Sequence, residues 1–170
     1  VPESNPVPPL REPVLVAAFE GWNDAGEAAS AAVAHLIEVW DARKVAELDP
    51  EDYYDFQVNR PKVAVEDGVR RITWPTTRIY VSTGASGAHD VVLIEGIEPS
   101  IRWRTYAAEL VDVATRLGVR TVITLGAFLA DVPHTRAIPI TTSSDDAAVQ
   151  ERFGAEPSEY QGPTGIVGVL

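Results

Sequence analysis

Cysteine and methionine are both absent from this 170-residue chain, and its only lysines are Lys44 and Lys62. Without cysteine there are no disulfides, no thiolate metal sites and no cysteine nucleophile. No uninterrupted apolar stretch approaches the ~18 residues that a membrane-spanning helix requires. Positive charge is also scarce: 25 acidic side chains stand against 14 basic ones, for a formal charge of −11. The arginines are scattered, with no basic block, which argues against nucleic-acid binding driven by phosphate neutralisation. A membrane partner is not expected either. The first thirteen residues, VPESNPVPPLREP, hold five prolines and lack the charged-then-apolar pattern of a secretory signal, so a cytoplasmic chain is the default expectation. No initiator methionine is present and Gly165–Leu170 reads as an apolar element just starting. A processed or partial chain, lacking its C-terminal part, is therefore expected.

What is present reads as an α/β protein. Residues 1–13 form a Pro-rich leader, expected to be extended and disordered, and residues 14–170 a single domain. Val14 to Phe19 is a continuous apolar run, the mark of a strand covered on both faces. The turn Glu20-Gly-Trp-Asn-Asp-Ala-Gly26 follows. Ala25, Ala28, Ala29, Ala32, Val33, Leu36, Ile37 and Trp40 then recur at helical spacing, with Asn23 or Asp24 as the cap. Lys44 to Leu48 is the next strand, and the strand–helix–strand order predicts a right-handed parallel crossover.

Further on, Lys62–Val65 and Val69–Trp74 predict a hairpin around Glu66-Asp67-Gly68. Arg78–Ser82 and Val91–Glu95 are two more strands. A second amphipathic helix spans Ile101 to Leu117, with Ser100 as cap, Gly118 as stop, and Ile101, Tyr106, Ala107, Leu110, Val111, Ala114 and Leu117 on its buried face. Val119–Leu125 predicts another buried strand, Ala137–Thr141 a strand and Asp145–Phe153 a short helix.

Chemistry concentrates at the strand ends. Gly84-Ala-Ser-Gly87 has the glycines of a phosphate loop but no lysine, and a strand rather than a helix follows it, so a flexible hairpin loop is favoured. Trp22, Asn23 and Asp24 sit in a strand-to-helix turn without the spacing of a dinucleotide fingerprint. The bland reading there is a tight turn and a cap; the functional one makes Trp22 an interface anchor. Glu98, fixed by Pro99 at the next helix entry, is either a capping carboxylate or a catalytic one, and Trp103 follows it. Asp131, His134 and Arg136 have the makings of an acid–base–anion set, with the imidazole oriented by the carboxylate. Their spacing matches no zinc pattern, so no metal is expected. There is no nucleophile elbow, and no catalytic constellation is complete. Asp131, His134, Arg136 and Glu98 are the catalytic candidates if the chain is an enzyme.

Four motifs in this order, Gly21-Trp22-Asn-Asp24-Ala25, Gly96-Ile-Glu98-Pro99 with Trp103, Gly126-Ala-Phe-Leu-Ala-Asp131-Val-Pro133-His134-Thr135-Arg136, and Gly162-Pro163-Thr164-Gly165-Ile166, resemble the proteasome assembly chaperone family in its actinobacterial branch. The similarity spans about residues 14–170. It implies an α/β/α sandwich with a mixed, largely parallel sheet, related to the purine nucleoside phosphorylase-like fold, and self-association into a homo-oligomer. It also implies a non-catalytic, assembly-chaperone-like role with a protein partner and no cofactor. The chain ends Gly168-Val169-Leu170, without the hydrophobic–Tyr–x tail that some members use for docking. The ligand or interface set expected on this reading is Trp22, Asn23, Asp24, Glu98, Trp103, Asp131, His134 and Arg136. The alternative is a binder or enzyme for a nucleoside or anionic ligand in the strand-end crevice, a reading that rests on fold analogy.

Overall fold

A computed structural model describes residues 7–84 and 87–170 of the protein. The chain forms two compact units. Leu129–Pro163 is one, and the chain on either side of it, through Phe128 and again from Thr164 to Leu170, is the other.

The larger unit is built on a five-stranded sheet. Its strands are β1 (Val14–Glu20), β2 (Arg43–Glu47), β5 (Arg78–Ser82), β6 (Val91–Ile97) and β7 (Thr121–Leu125), in the order β2-β5-β6-β1-β7. β1 pairs in parallel with β6 and β7, while β5 runs antiparallel to both β2 and β6. Four of the five strands therefore point one way, and the sheet is mixed. β1 and β2 share a direction, as the crossover reading expects, but two other strands lie between them.

Period-two alternation in the apolar runs decides the layers. Leu15, Ala17 and Phe19 of β1, with Val92 and Ile94 of β6, face Tyr106, Leu110 and Val113 of α3 (Trp103–Arg116). Ala18 of β1, with Val91 and Leu93 of β6, faces Ala29 and Val33 of α1 (Ala28–Val39). A helix on each side of a sheet gives the three-layer α/β/α arrangement. The apolar stripe on α3 is narrower than its sequence predicts: Ile101 precedes the helix and Val111 points outward, and both are exposed.

Two expectations about edges change. β7 forms, but four of its five residues are exposed, because it lies at an edge of the sheet and, among the described residues, pairs with β1 alone. The predicted hairpin forms as β3 (Lys62–Glu66) and β4 (Val69–Thr73), a separate two-stranded sheet with every residue exposed. In the leader, Val7 and Leu10 pack against the core, and the Arg11 N–H donates to Asp90 Oδ2 at 2.7 Å. Ala85 and Ser86, in the middle of the expected glycine-bearing loop, lie outside the described residues, as do residues 1–6.

In the smaller unit, α4 (Ala147–Phe153) is capped by the Asp146 carboxylate, which accepts from the Ala148 and Val149 N–H groups at 2.8 and 3.2 Å. Residues 137–141 form no strand among the described residues; the pairing nearby is an isolated bridge between Ser143 and Glu156. The two short helices left are α2 (Pro50–Tyr53) and α5 (Ile166–Val169), both in the larger unit.

Candidate functional site

Because β6, β1 and β7 are parallel neighbours, the turns that follow them emerge at one end of the sheet. The chain after β1 goes to α1 on one face, and the chain after β6 goes to α3 on the other. Adjacent parallel strands whose connections part in this way define a topological switch point, where open α/β sheets bind ligands. Glu20 and Ile97 lie opposite each other at the last register position, and the Glu98 N–H donates to the Glu20 carbonyl at 2.8 Å. The two turns are thus stitched together directly beyond the strands.

The β1 turn is organised by Asp24. Its buried carboxylate accepts from the Ala29 N–H at 2.7 Å, the Ser30 N–H at 2.9 Å and the Ser30 hydroxyl at 2.6 Å. Of the two caps open on sequence, Asp24 is the one used, acting across a short 3₁₀ turn at Ala25–Glu27. Asn23 contributes its backbone: its carbonyl accepts from Ala127 N–H at 2.9 Å, which ties the turn to the end of β7. The Asn23 carboxamide is buried, and neither of its polar atoms has a hydrogen-bond partner among the described residues. Trp22 is 63% exposed.

The β6 turn rests on a buried hydroxyl cluster that the sequence reading missed. The Tyr54 hydroxyl meets Thr77 Oγ1 at 2.8 Å and donates to the Ile97 carbonyl at 2.9 Å; Thr77 Oγ1 also meets the Tyr106 hydroxyl at 2.6 Å. Gly96 lies against this cluster, so close that a Cβ there would stand 2.9 Å from Thr77 Cβ. Burial, above all, pushes the Tyr54 and Tyr106 hydroxyls up from their ordinary value, keeping both protonated and able to donate. The signal was available in sequence as a glycine inside an apolar run, which marks a close approach. Ser100 is not the helix cap: Arg102 holds that position in a left-handed conformation, and Ser100 Oγ accepts from Asp55 N–H and Asn59 Nδ2, each at 3.1 Å. Arg102 pairs with Asp52 and lies over the Tyr53 ring. Trp103 is half-buried against the core rather than standing free.

The fourth motif reaches the same place. Glu98 Oε1 accepts from the Ile166 N–H at 2.7 Å, and the Ile166 side chain is fully buried. Gly165 fills the space between: a Cβ on it would stand 2.8 Å from Glu98 Oε1, 3.0 Å from Asn23 Oδ1 and 3.4 Å from Trp22 Cε3. Trp22, Asn23 and Glu98 therefore converge on one glycine. Glu20, at the base of this end, has its carboxyl raised from 4.5 by burial and by Glu27, with Lys62 opposing and Glu95 and Asp24 adding to it.

Asp131, His134 and Arg136 lie in the smaller unit, fully on its surface. The Arg136 N–H donates to the Pro133 carbonyl at 2.9 Å, closing a tight turn. Their side chains share no hydrogen bond or ion pair among the described residues. The motif that contains them is divided, with Gly126–Phe128 belonging to the larger unit. No group of three or more acidic or histidine side chains is placed to hold a metal among the described residues.

The sequence pattern of the PAC2 family matches residues 18–170. No curated protein matches the chain. Among solved structures, a PAC2 family protein from Streptomyces avermitilis is 55% identical, with a TM-score of 0.87 over 93% of this chain and 68% of its own. A Mycobacterium tuberculosis proteasome-assembly chaperone homologue is 52% identical, with a TM-score of 0.81 over 92% of this chain and 66% of its own. A second M. tuberculosis protein, of unknown function, is 32% identical, with a TM-score of 0.82 over 96% and 59%. The chain thus spans roughly three fifths to two thirds of the length of these relatives. With the family pattern covering nine tenths of the sequence, the chain belongs to the PAC2 family.

Proposed function

We propose that this chain is a non-catalytic, assembly-chaperone-like protein that associates with itself and binds a protein partner through the turns at the end of its sheet. Membership in the PAC2 family, with a proteasome-assembly chaperone homologue at 52% identity, carries the reading. The geometry supports it: the switch-point crevice holds the chain's own Gly165–Ile166 segment, with a largely exposed tryptophan on its rim. Exposed tryptophan is the residue type most enriched among interface hot spots. On the smaller unit, taken by itself, the exposed Asp131, His134 and Arg136 are proposed as a further contact patch.

The test is recovery of a defined partner with the purified chain, followed by Trp22→Ala and Arg136→Ala. Both side chains are exposed, so each variant should melt within about 2 °C of the parent. A hot-spot Trp22 should weaken partner binding roughly 30-fold or more, as a loss of ~2 kcal/mol requires. A chain that is strictly monomeric and enriches no partner refutes the proposal.

One observation favours a second reading. The buried Asn23 carboxamide, unpaired at a switch point, suits a small polar ligand. A thermal-shift panel of nucleosides, nucleotides and phosphate separates the two. A ligand at ~100 times its dissociation constant should stabilise by ~2.7 kcal/mol, and a flat response removes this reading.

A further inference from the structure

The β3–β4 hairpin is a two-stranded sheet with no buried residue, although Val63, Val65 and Ile72 are large apolar side chains on one of its faces. An isolated two-stranded sheet is marginal in water, and each of its outer edges is a row of backbone groups open to pairing. We infer that β3 pairs edge to edge with β3 of a second copy of this chain, antiparallel about a two-fold axis at Ala64, joining the two hairpins into one four-stranded sheet.

The sequence of β3, Lys62-Val-Ala-Val-Glu66, is self-complementary in that register. Lys62 falls opposite Glu66 of the second copy, Val63 opposite Val65, and Ala64 opposite itself. Opposite charges and β-branched pairs are the favourable cross-strand neighbours. The backbone agrees. Asp67 and Gly68 have φ of 51° and 77°, and Glu66 pairs with Val69, which defines a two-residue type I′ hairpin. Its closing pair is hydrogen-bonded, so Glu66, Ala64 and Lys62 direct their N–H and C=O groups to β4, and Val63 and Val65 direct theirs to the open edge. Centring the axis on Ala64 brings Val63 and Val65 of one copy opposite Val65 and Val63 of the other, where they exchange hydrogen bonds. Pro61 has no N–H and ends the pairing.

The other edges fit less well. β4 centred on Arg71 sets Arg71 against itself, a like-charge pair. β2 carries an irregularity between Lys44 and Ala46, which blunts an edge. β7 has no charged side chain to fix a register. Glu66 already pairs with Arg71 at 3.2 Å on the face that would receive Lys62 of the second copy.

The inference deepens the self-association in the proposed function and leaves its partner binding aside. The absence of native cysteine makes the test direct. In the proposed register Ala64 is a non-hydrogen-bonded pair, with Cα atoms about 4.5 Å apart, within disulfide range. Ala64→Cys under mild oxidation should give a disulfide-linked dimer on a non-reducing gel, while Arg71→Cys and Ile123→Cys should not. By sedimentation, Lys62→Glu alone and Glu66→Lys alone should each weaken dimerisation roughly 10-fold or more, since both place like charges opposite. Mixing those two variants should restore the dimer, because the heterodimer regains opposite charges at every pair. A monomeric parent chain overturns the inference. So does a dimer indifferent to both charge variants, or one cross-linked by Ile123→Cys and not Ala64→Cys. In the latter two cases self-association itself stands, by another surface.

Discussion

Gly165 should tolerate no side chain, and the cost of adding one can be worked out locally. Its φ of −87° and ψ of −176° are open to any L-residue, so Gly165→Ala brings no backbone strain. The effect is entirely one of space. The new methyl would lie 2.8 Å from Glu98 Oε1 and 3.0 Å from Asn23 Oδ1, both inside van der Waals distance. The Glu98 carboxylate is the end of a flexible side chain and is the group that yields. When it moves, the 2.7 Å bond from the Ile166 N–H breaks. A hydrogen bond to a charged acceptor contributes about 1.5–3 kcal/mol. If the loss is confined to opening of the Thr164–Leu170 strap, amide exchange at Ile166 should accelerate roughly 10- to 100-fold. Amides of Val92, Leu93 and Ile94 in central β6 should keep their parent rates. Hydrogen exchange resolved by residue reads both. An Ile166 rate within twofold of the parent would refute the argument, and equal acceleration in β6 would show the substitution acting globally instead.

Gly96→Ala should be the more damaging glycine substitution, because its Cβ meets buried Thr77 rather than a mobile carboxylate. Overpacking of about 1–3 kcal/mol lowers the melting temperature by roughly 2–12 °C, and Thr77→Ala in the same chain should make the combined penalty less than additive. Two carboxylates should give opposite pH responses. Glu20 has its folded value raised above 4.5 by burial and by Glu27, so it favours the fold below that pH, and this contribution is lost as pH rises through the folded value. Glu20→Gln should therefore raise the melting temperature at pH 7, with the gain vanishing below pH 4.5. Asp90 accepts from the N–H groups of Arg11 and Gly84, at 2.7 and 3.0 Å, which hold its folded value below 3.8. Its contribution is present above that value and lost as pH falls through the folded one, so Asp90→Asn should destabilise at pH 7 and progressively less in acid. Differences independent of pH would overturn both assignments.

Legibility followed the range of the interactions. The apolar runs of β1 and β6 and the Asp67-Gly68 turn are local patterns, and each element formed where its pattern lies. The continuous apolar run Val14–Phe19 marked a strand covered on both faces, whereas the α/β/α arrangement was what the family resemblance implied. The edge position of β7 was not, since an apolar run does not say how many neighbours a strand has. The cap of the second long helix failed for a related reason, while Asp24 caps the first as its position suggested. Ser100 has the right chemistry for a cap, but its hydroxyl is engaged by Asp55 and Asn59, more than 40 positions away. At the site, Trp22, Asn23 and Glu98 were visible as unusual residues in turns. Their convergence on Gly165 depends on contacts across 67 to 143 positions, which no local pattern encodes.

That convergence bears on what kind of partner the sheet end receives. A switch-point crevice ordinarily lies open to a small ligand. Here a ligand in that space would have to displace Gly165, break the Ile166–Glu98 bond and expose an Ile166 side chain that is now fully buried. A protein docking on the rim meets no such cost: Trp22 is 63% exposed, with its ring edge beside Gly165. The two modes of binding therefore drive the strap in opposite directions. A protein partner seated over the closed strap should slow hydrogen exchange at the Ile166 amide, because opening would then require the partner to leave. A small molecule occupying the crevice should speed it, because the bound state has the strap lifted. Measured on the complex with its partner, slower Ile166 exchange is the expected result; faster exchange would place the ligand under the strap and reverse the reading of this end of the molecule.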